Sequence, residues 1–137
     1  MTAVDQETRA ARAAFREELE DRVEAIRRVV ARLDAEPEVC DPAAIHDLFR
    51  QLHSLKGAAN LLGLRPIEQL AHRAEDVLAL ARERGVPRDA PLTAFVRNVC
   101  TRLEQLGDHL DRLRAIDLTA ELARIDGFVR RFWSPAA

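Results

Sequence analysis

The chain has 137 residues, 47% of them hydrophobic and 32% charged, with a formal net charge of −2. That length holds one domain with a real core and is short for two, and the balance excludes both a disordered composition and the basic excess of a nucleic-acid binder. No apolar run approaches the roughly 20 residues needed to cross a bilayer, and Met1 to Glu7 lacks a signal peptide's charged start and apolar centre. The expectation is a cytoplasmic domain with protein partners, no nucleic acid and no membrane insertion.

Taken in order, the apolar residues fall into helical stripes. The first helix is expected from near Val4 to about Ala35, with Phe15, Leu19, Val23, Ile26, Val30 and Leu33 recurring at intervals of three and four. Arg16, Glu17, Glu20, Asp21, Glu24 and Arg27 form its solvated face. Pro37 and Asp41-Pro42 end it, and proline after an aspartate N-cap suits the start of a second helix, about Pro42 to Leu62. Its stripe is Ile45, Leu48, Leu52, Leu55, Ala59 and Leu62, and Gly63 offers a left-handed cap.

Pro66 fits the first turn of a third helix whose buried side is Ile67, Leu70, Ala74, Val77, Leu78 and Ala81, closed by Gly85 to Pro87. His72 and Glu75 are neighbours on its opposite or flanking side. Asp89-Ala90-Pro91 opens a fourth helix with the stripe Leu92, Phe95, Val99, Leu103, Leu106, Leu110 and Leu113, in which Gly107 does not break the pattern. A short fifth helix follows Asp117, with Leu118, Leu122, Ile125, Val129 and Phe132 apolar and Trp133 expected at the bundle's end. Strand signals are almost absent, and Asp126-Gly127 sits inside helical periodicity. Short links between long amphipathic helices give an all-α fold, an antiparallel up-down four-helix bundle with an additional C-terminal helix. Cys40 and Cys100 read as ordinary reduced thiols, with no zinc-like spacing. Ser134-Pro135-Ala136-Ala137 resembles the beginning of a linker.

One segment reads as chemistry. At about 100° per residue, His53 lies well round from the centre of the second helix's stripe, on an arc with Phe49, Arg50, Lys56, Gly57 and Asn60, and is expected to reach solvent. Lys56 and Gly57 neighbour it on the helix surface. The glycine costs about 1 kcal/mol relative to alanine in a helix, and it leaves a bare patch where something large can dock. A neutral imidazole is a competent nucleophile near neutral pH, and a lysine one turn away can offset the charge of an attached phosphoryl group. The chemistry this suggests is reversible histidine phosphorylation.

His53-Ser54-Leu55-Lys56-Gly57, followed by Ala58-Ala59-Asn60-Leu61-Leu62-Gly63-Leu64, resembles the core motif of histidine phosphotransfer (HPt) domains, most closely the amino-terminal phosphorylation-site domain of chemotaxis-type (CheA-like) histidine kinases. Leu70 to Leu78 resembles the next helix of that subfamily, in which a histidine and a glutamate three apart help position the phosphorylated ring. Here these are His72 and Glu75, nineteen and twenty-two residues beyond His53. The likeness covers nearly the whole chain.

The resemblance implies that His53 is phosphorylated, on its outer nitrogen Nε2, with Glu75 and His72 assisting. Helix position adds Lys56 as a cation beside the ring and puts Gly57, Phe49 and Asn60 on the same side as binding residues. It implies one domain over 1–137, expected to be the first module of a larger kinase, with a free-standing shuttle as the alternative. The sequence carries no Walker-type or Asp-x-Gly-x-Gly run of its own. The resemblance implies that its partners are a kinase ATP-binding catalytic domain and a CheY-like response-regulator receiver, which supply ATP and Mg²⁺, and that the domain itself needs no cofactor.

Bland readings stand beside these. Phe49 is either docking area or partly buried packing, Asn60 a docking border or a helix-surface amide, and His72 a direct participant or a supporting flank residue. Ser54 reads as packing, and His46 and His109 as solvated histidines. His53, His72 and Glu75 can be drawn as zinc ligands, though the paired Glu-x-x-His pattern of di-iron bundles is missing and no metal is expected. A purely structural interaction bundle is the remaining alternative.

Overall fold

A computed structural model describes residues 2–134, so most of the linker-like stretch at the carboxyl end, residues 135–137, lies outside the described residues. The elements are α1 (Ala3–Ala35), α2 (Pro42–Leu61), α3 (Arg65–Arg84), α4 (Leu92–Gly107), a 3₁₀ segment (Leu110–Ala115) and α5 (Thr119–Trp133). No strand occurs among the described residues. Each of α1 to α4 buries one stripe, and α1 packs on α2 and α4 while α3 packs on α2 and α4, which closes a four-helix ring. The α2–α3 pairing is the most extensive, because only Leu62–Leu64 separate the two helices. The fifth helix lies outside the ring on α3.

Local chemistry sets the helix boundaries. Thr2 and Asp5 form a reciprocal capping box at the start of α1, and the Asp41 carboxylate accepts from the Ala43 amide at 3.0 Å with Pro42 in the first turn of α2. Gly63 turns the chain with φ +67°, a conformation that a Cβ would strain. The expected stripes of α1 and α3 are buried throughout, joined by Val29 and Ala71.

Two expectations change. Periodicity puts Leu62 in the core stripe of α2, but the helix ends at Leu61 and Leu62 is 41% exposed. The left-handed turn at Gly63 redirects the chain, and Leu64 takes the core position instead. The fourth helix stops at Gly107, short of the expected Leu113. A Cβ on Gly107 would lie 2.5 Å from Leu19 Cδ2 of α1, so the glycine serves a close helix approach. The Asp108 amide then closes onto the Glu104 and Gln105 carbonyls, and Leu113 reaches the core from the 3₁₀ segment. In α5 only Ile125 and Trp133 are buried, with Leu122, Val129 and Phe132 partly covered.

Polar ties lock the outer layer. Arg97 pairs with Asp34 between α4 and α1, and Arg73 with Asp126 between α3 and α5. The Trp133 indole N–H donates to the Gly85 carbonyl at 3.1 Å, which pins the end of α5 to the α3–α4 connection. Both cysteines are free, and burial pushes the Cys100 thiol up to about 11. No described helix is long and apolar enough to cross a membrane.

Leu103, fully buried on α4, measures the core. Leu103→Ala is expected to lower stability by about 2–5 kcal/mol, read as a fall in the urea midpoint with an unchanged slope.

Candidate functional site

The second helix has two unlike faces. Leu48, Leu52, Leu55 and Ala59 are buried, whereas His53 projects outward with its side chain 61% exposed. Four residues further on, nothing lies within 4 Å of where a Gly57 Cβ would be. One turn beyond that, Leu61 is 86% exposed. Histidine, bare glycine and apolar knob follow one another at i, i+4 and i+8, so they share a face.

Glu75 reaches His53 from α3. Its Oε2 lies 2.7 Å from His53 Nδ1, and its Oε1 accepts from Lys56 Nζ at 3.0 Å. The expectation put Glu75 on a flanking side of α3, but it is the one charged side chain buried among the described residues. The α2–α3 pairing covers it. Burial pushes its carboxyl up, and the hydrogen bonds and charges of Lys56 and His53 more than offset that, so its pKa is held below the ordinary carboxylate value. An ionised carboxylate only accepts, which requires the proton on His53 Nδ1 and leaves the lone pair on Nε2. Nε2 is the nitrogen away from Glu75.

Lys56 sits where the spacing put it, one turn from His53, and it is bonded to the carboxylate with only 24% of its side chain exposed. It is the single lysine among the chain's 21 basic residues, a compact point charge where every other basic group is a fork. That scarcity is a signal the sequence offered. His72 is exposed and pairs with Asp76, Nε2 to Oδ1 3.7 Å, rather than with His53. His72, Glu75 and Asp76 lie close enough to share an ion, but both Glu75 oxygens are engaged by His53 and Lys56. The zinc set drawn from His53, His72 and Glu75 therefore has no shared centre to favour it.

Asn60 donates to Glu68 at 3.1 Å across the α2–α3 turn. Phe49 is half-buried, with its ring near-parallel to those of His53 and His46 and the Arg82 guanidinium over it. His109 caps the 3₁₀ segment, away from these contacts. Leu61 and Arg82 are the residues that sequence reasoning missed. An apolar residue eight beyond the histidine was a usable cue for Leu61, but nothing local singles out Arg82 from the other arginines.

Comparison with known proteins follows the same geometry. The profile of the Hpt domain family matches residues 10–127. Among curated proteins, the chain is 42% identical over 96 residues to a gliding motility regulatory protein of Myxococcus xanthus and 32% identical over 123 residues to a chemotaxis protein CheA of Cereibacter sphaeroides. These alignments cover 70% and 85% of this chain but only 12% and 18% of those proteins. The fold matches the phosphorylated P1 domain of CheA3, solved in complex with CheY6 from R. sphaeroides, with a TM-score of 0.71 at 23% identity, over 89% of this chain and 94% of that one.

The depressed Glu75 carboxyl has a sign that can be measured. Such a group stabilises the fold above its unfolded pKa, about 4.3, and the contribution is lost as pH falls through the folded value. The stability advantage of wild type over Glu75→Gln is expected to be full above about pH 5 and to narrow as the pH is lowered further, as followed by urea unfolding over a series of falling pH.

Proposed function

Because the chain belongs to the Hpt domain family, we propose that it is a phosphoryl carrier of a two-component chemosensory relay, in which His53 accepts a phosphoryl group from a kinase ATP-binding domain and passes it to a receiver aspartate. The observation that carries this reading is the 2.7 Å contact between His53 Nδ1 and the buried Glu75, on a ring otherwise open to solvent.

The steps follow from that contact. The Nε2 lone pair attacks the γ-phosphorus of ATP, the N–P bond forms and the P–O bond to departing ADP breaks. The ring already holds its proton on Nδ1, so phosphorylation makes it cationic, and the adjacent Glu75 carboxylate offsets that charge. In the second transfer a receiver aspartate oxygen attacks phosphorus, the N–P bond breaks and the neutral ring with Nδ1–H returns. Glu75 therefore need not gain or lose a proton in either direction. Lys56 keeps it ionised and adds a cation one turn from the phosphoryl group.

ATP and its Mg²⁺ come with the partner domains, and this chain supplies position. Gly57 lets a partner's surface approach the ring closely, with Leu61 and the exposed edges of Phe49 and Asn60 around it. The relatives support a chemosensory setting: one is a CheA, another regulates gliding, and the fold neighbour was solved with CheY6. Since this chain spans a small share of both longer relatives, it is read as the phosphorylation module of a larger kinase, with a free-standing shuttle as the second possibility.

Labelled ATP and a CheA catalytic domain test the assignment. His53→Gln should take up no label, and full labelling of that variant would refute the reading. Glu75→Ala should slow labelling about ten- to a hundredfold, the equivalent of one hydrogen bond to a charged group, and Lys56→Ala should slow it as well. Gly57→Leu fills open helix surface, so it should raise stability by about 0.5–1 kcal/mol while lowering transfer to the receiver.

A further inference from the structure

His53 is held at one ring atom by Glu75, and because the last histidine torsion is broad and roughly two-fold, a swing that takes Nδ1 off the carboxylate is opposed at that point by one hydrogen bond. The other group against the ring is Phe49, one turn earlier on α2. Their centroids are 5.9 Å apart with the planes 20° from parallel, within the range of an offset aromatic stack. His46, a further turn back, lies on Phe49 in the same way at 6.3 Å and 18°. The Arg82 guanidinium, from α3, stands over the Phe49 ring at 4.2 Å from its centroid, and its Nη1 lies 3.4 Å from His46 Nδ1.

Core packing accounts for only part of this arrangement. Phe49 is partly buried with one side against the core, whereas His46 and Arg82 are exposed. A planar cation laid on an aromatic face is itself a favourable contact, and it holds the Phe49 ring at the angle its neighbours share. The column therefore runs from α3 through Arg82 to Phe49 and ends on the imidazole.

We propose that Phe49 and Arg82 form a clamp that fixes the plane of the His53 ring, keeping Nδ1 on Glu75 and Nε2 turned outward. Both are positioning residues, since neither touches the phosphoryl group. Glu75 can accept the Nδ1 proton only while the ring plane is held against it, so the clamp maintains both that tautomer and the outward direction of Nε2. Aligning the nucleophile in advance removes part of the orientational cost of transfer.

The proposal rests on His53 being the acceptor, and its test separates the two ideas. Long-range ¹H–¹⁵N spectra of the imidazoles, at a pH of about 8.5 where an ordinary histidine is neutral, read the tautomer of His53 without any phosphate. The signal is assigned by its loss in His53→Gln. Wild type should show the proton on Nδ1. Phe49→Leu and Arg82→Gln should each move the population toward the other tautomer, and each should slow labelling by a CheA catalytic domain about two- to tenfold, the worth of one aromatic contact. Phe49→Tyr, which keeps the ring face, should restore both readings. Arg82 is exposed, so its variant reports even where Phe49→Leu disturbs folding. An unchanged tautomer in both variants overturns the clamp, and a slower rate with an unchanged tautomer overturns it too, because that pattern marks docking. Failure of His53 to label in wild type would instead strike the carrier reading and leave the tautomer result standing.

Discussion

A single carboxylate, Glu75, lies between α2 and α3, and both of its oxygens are engaged from the other helix. An ion taken out of water costs several kcal/mol unless its hydrogen bonds are replaced, and here the replacements are His53 Nδ1 and Lys56 Nζ. The consequence runs in both directions. The bonds keep Glu75 ionised, and the ionised carboxylate dictates the protonation of the ring. No buried side-chain polar atom among the described residues is left without a partner, so this pairing completes the polar interior.

The same pairing constrains the bundle. One turn of α2 presents His53 and Lys56, and one residue of α3 meets both, which fixes the register of the two helices more narrowly than interchangeable leucines do. The short Leu62–Leu64 connection brings the helices together, and the left-handed Gly63 lets the chain reverse there. With the core face of α2 filled by Leu48, Leu52, Leu55 and Ala59, His53 can stand outside without weakening the fold. Stability and reactivity thus occupy opposite sides of one helix. The residues that soften the outer side, Gly57 and the protruding Leu61, give little to folding, which is consistent with a surface kept for a partner.

The arrangement suits a group that must be taken up and given away. A carrier needs a nucleophile that is ready but not buried, and a proton that stays in place through both transfers. Placing the acid inside and the ring outside meets both needs, because Glu75 engages Nδ1 and the rest of the ring stays open to solvent.

Most of the fold was legible in the sequence because helix periodicity, proline and glycine stops and capping residues act within a few positions along the chain. His53, Lys56 and Gly57 were legible for the same reason: their shared face follows from spacing on one helix. Apart from the approach of Glu75 to His53, which the short α2–α3 link and the resemblance led one to expect, contacts between helices were not, since they depend on how each helix is rotated and shifted against its neighbour. Tertiary structure therefore decided that Glu75 is buried and shared with Lys56, that His72 turns to Asp76, and that Arg82 covers Phe49. It also decided that α4 stops at Gly107, where Leu19 of another helix presses close, and that Leu64 rather than Leu62 enters the core. A local pattern tells a side chain which way to point from its own axis, and only the packed bundle supplies what it meets there.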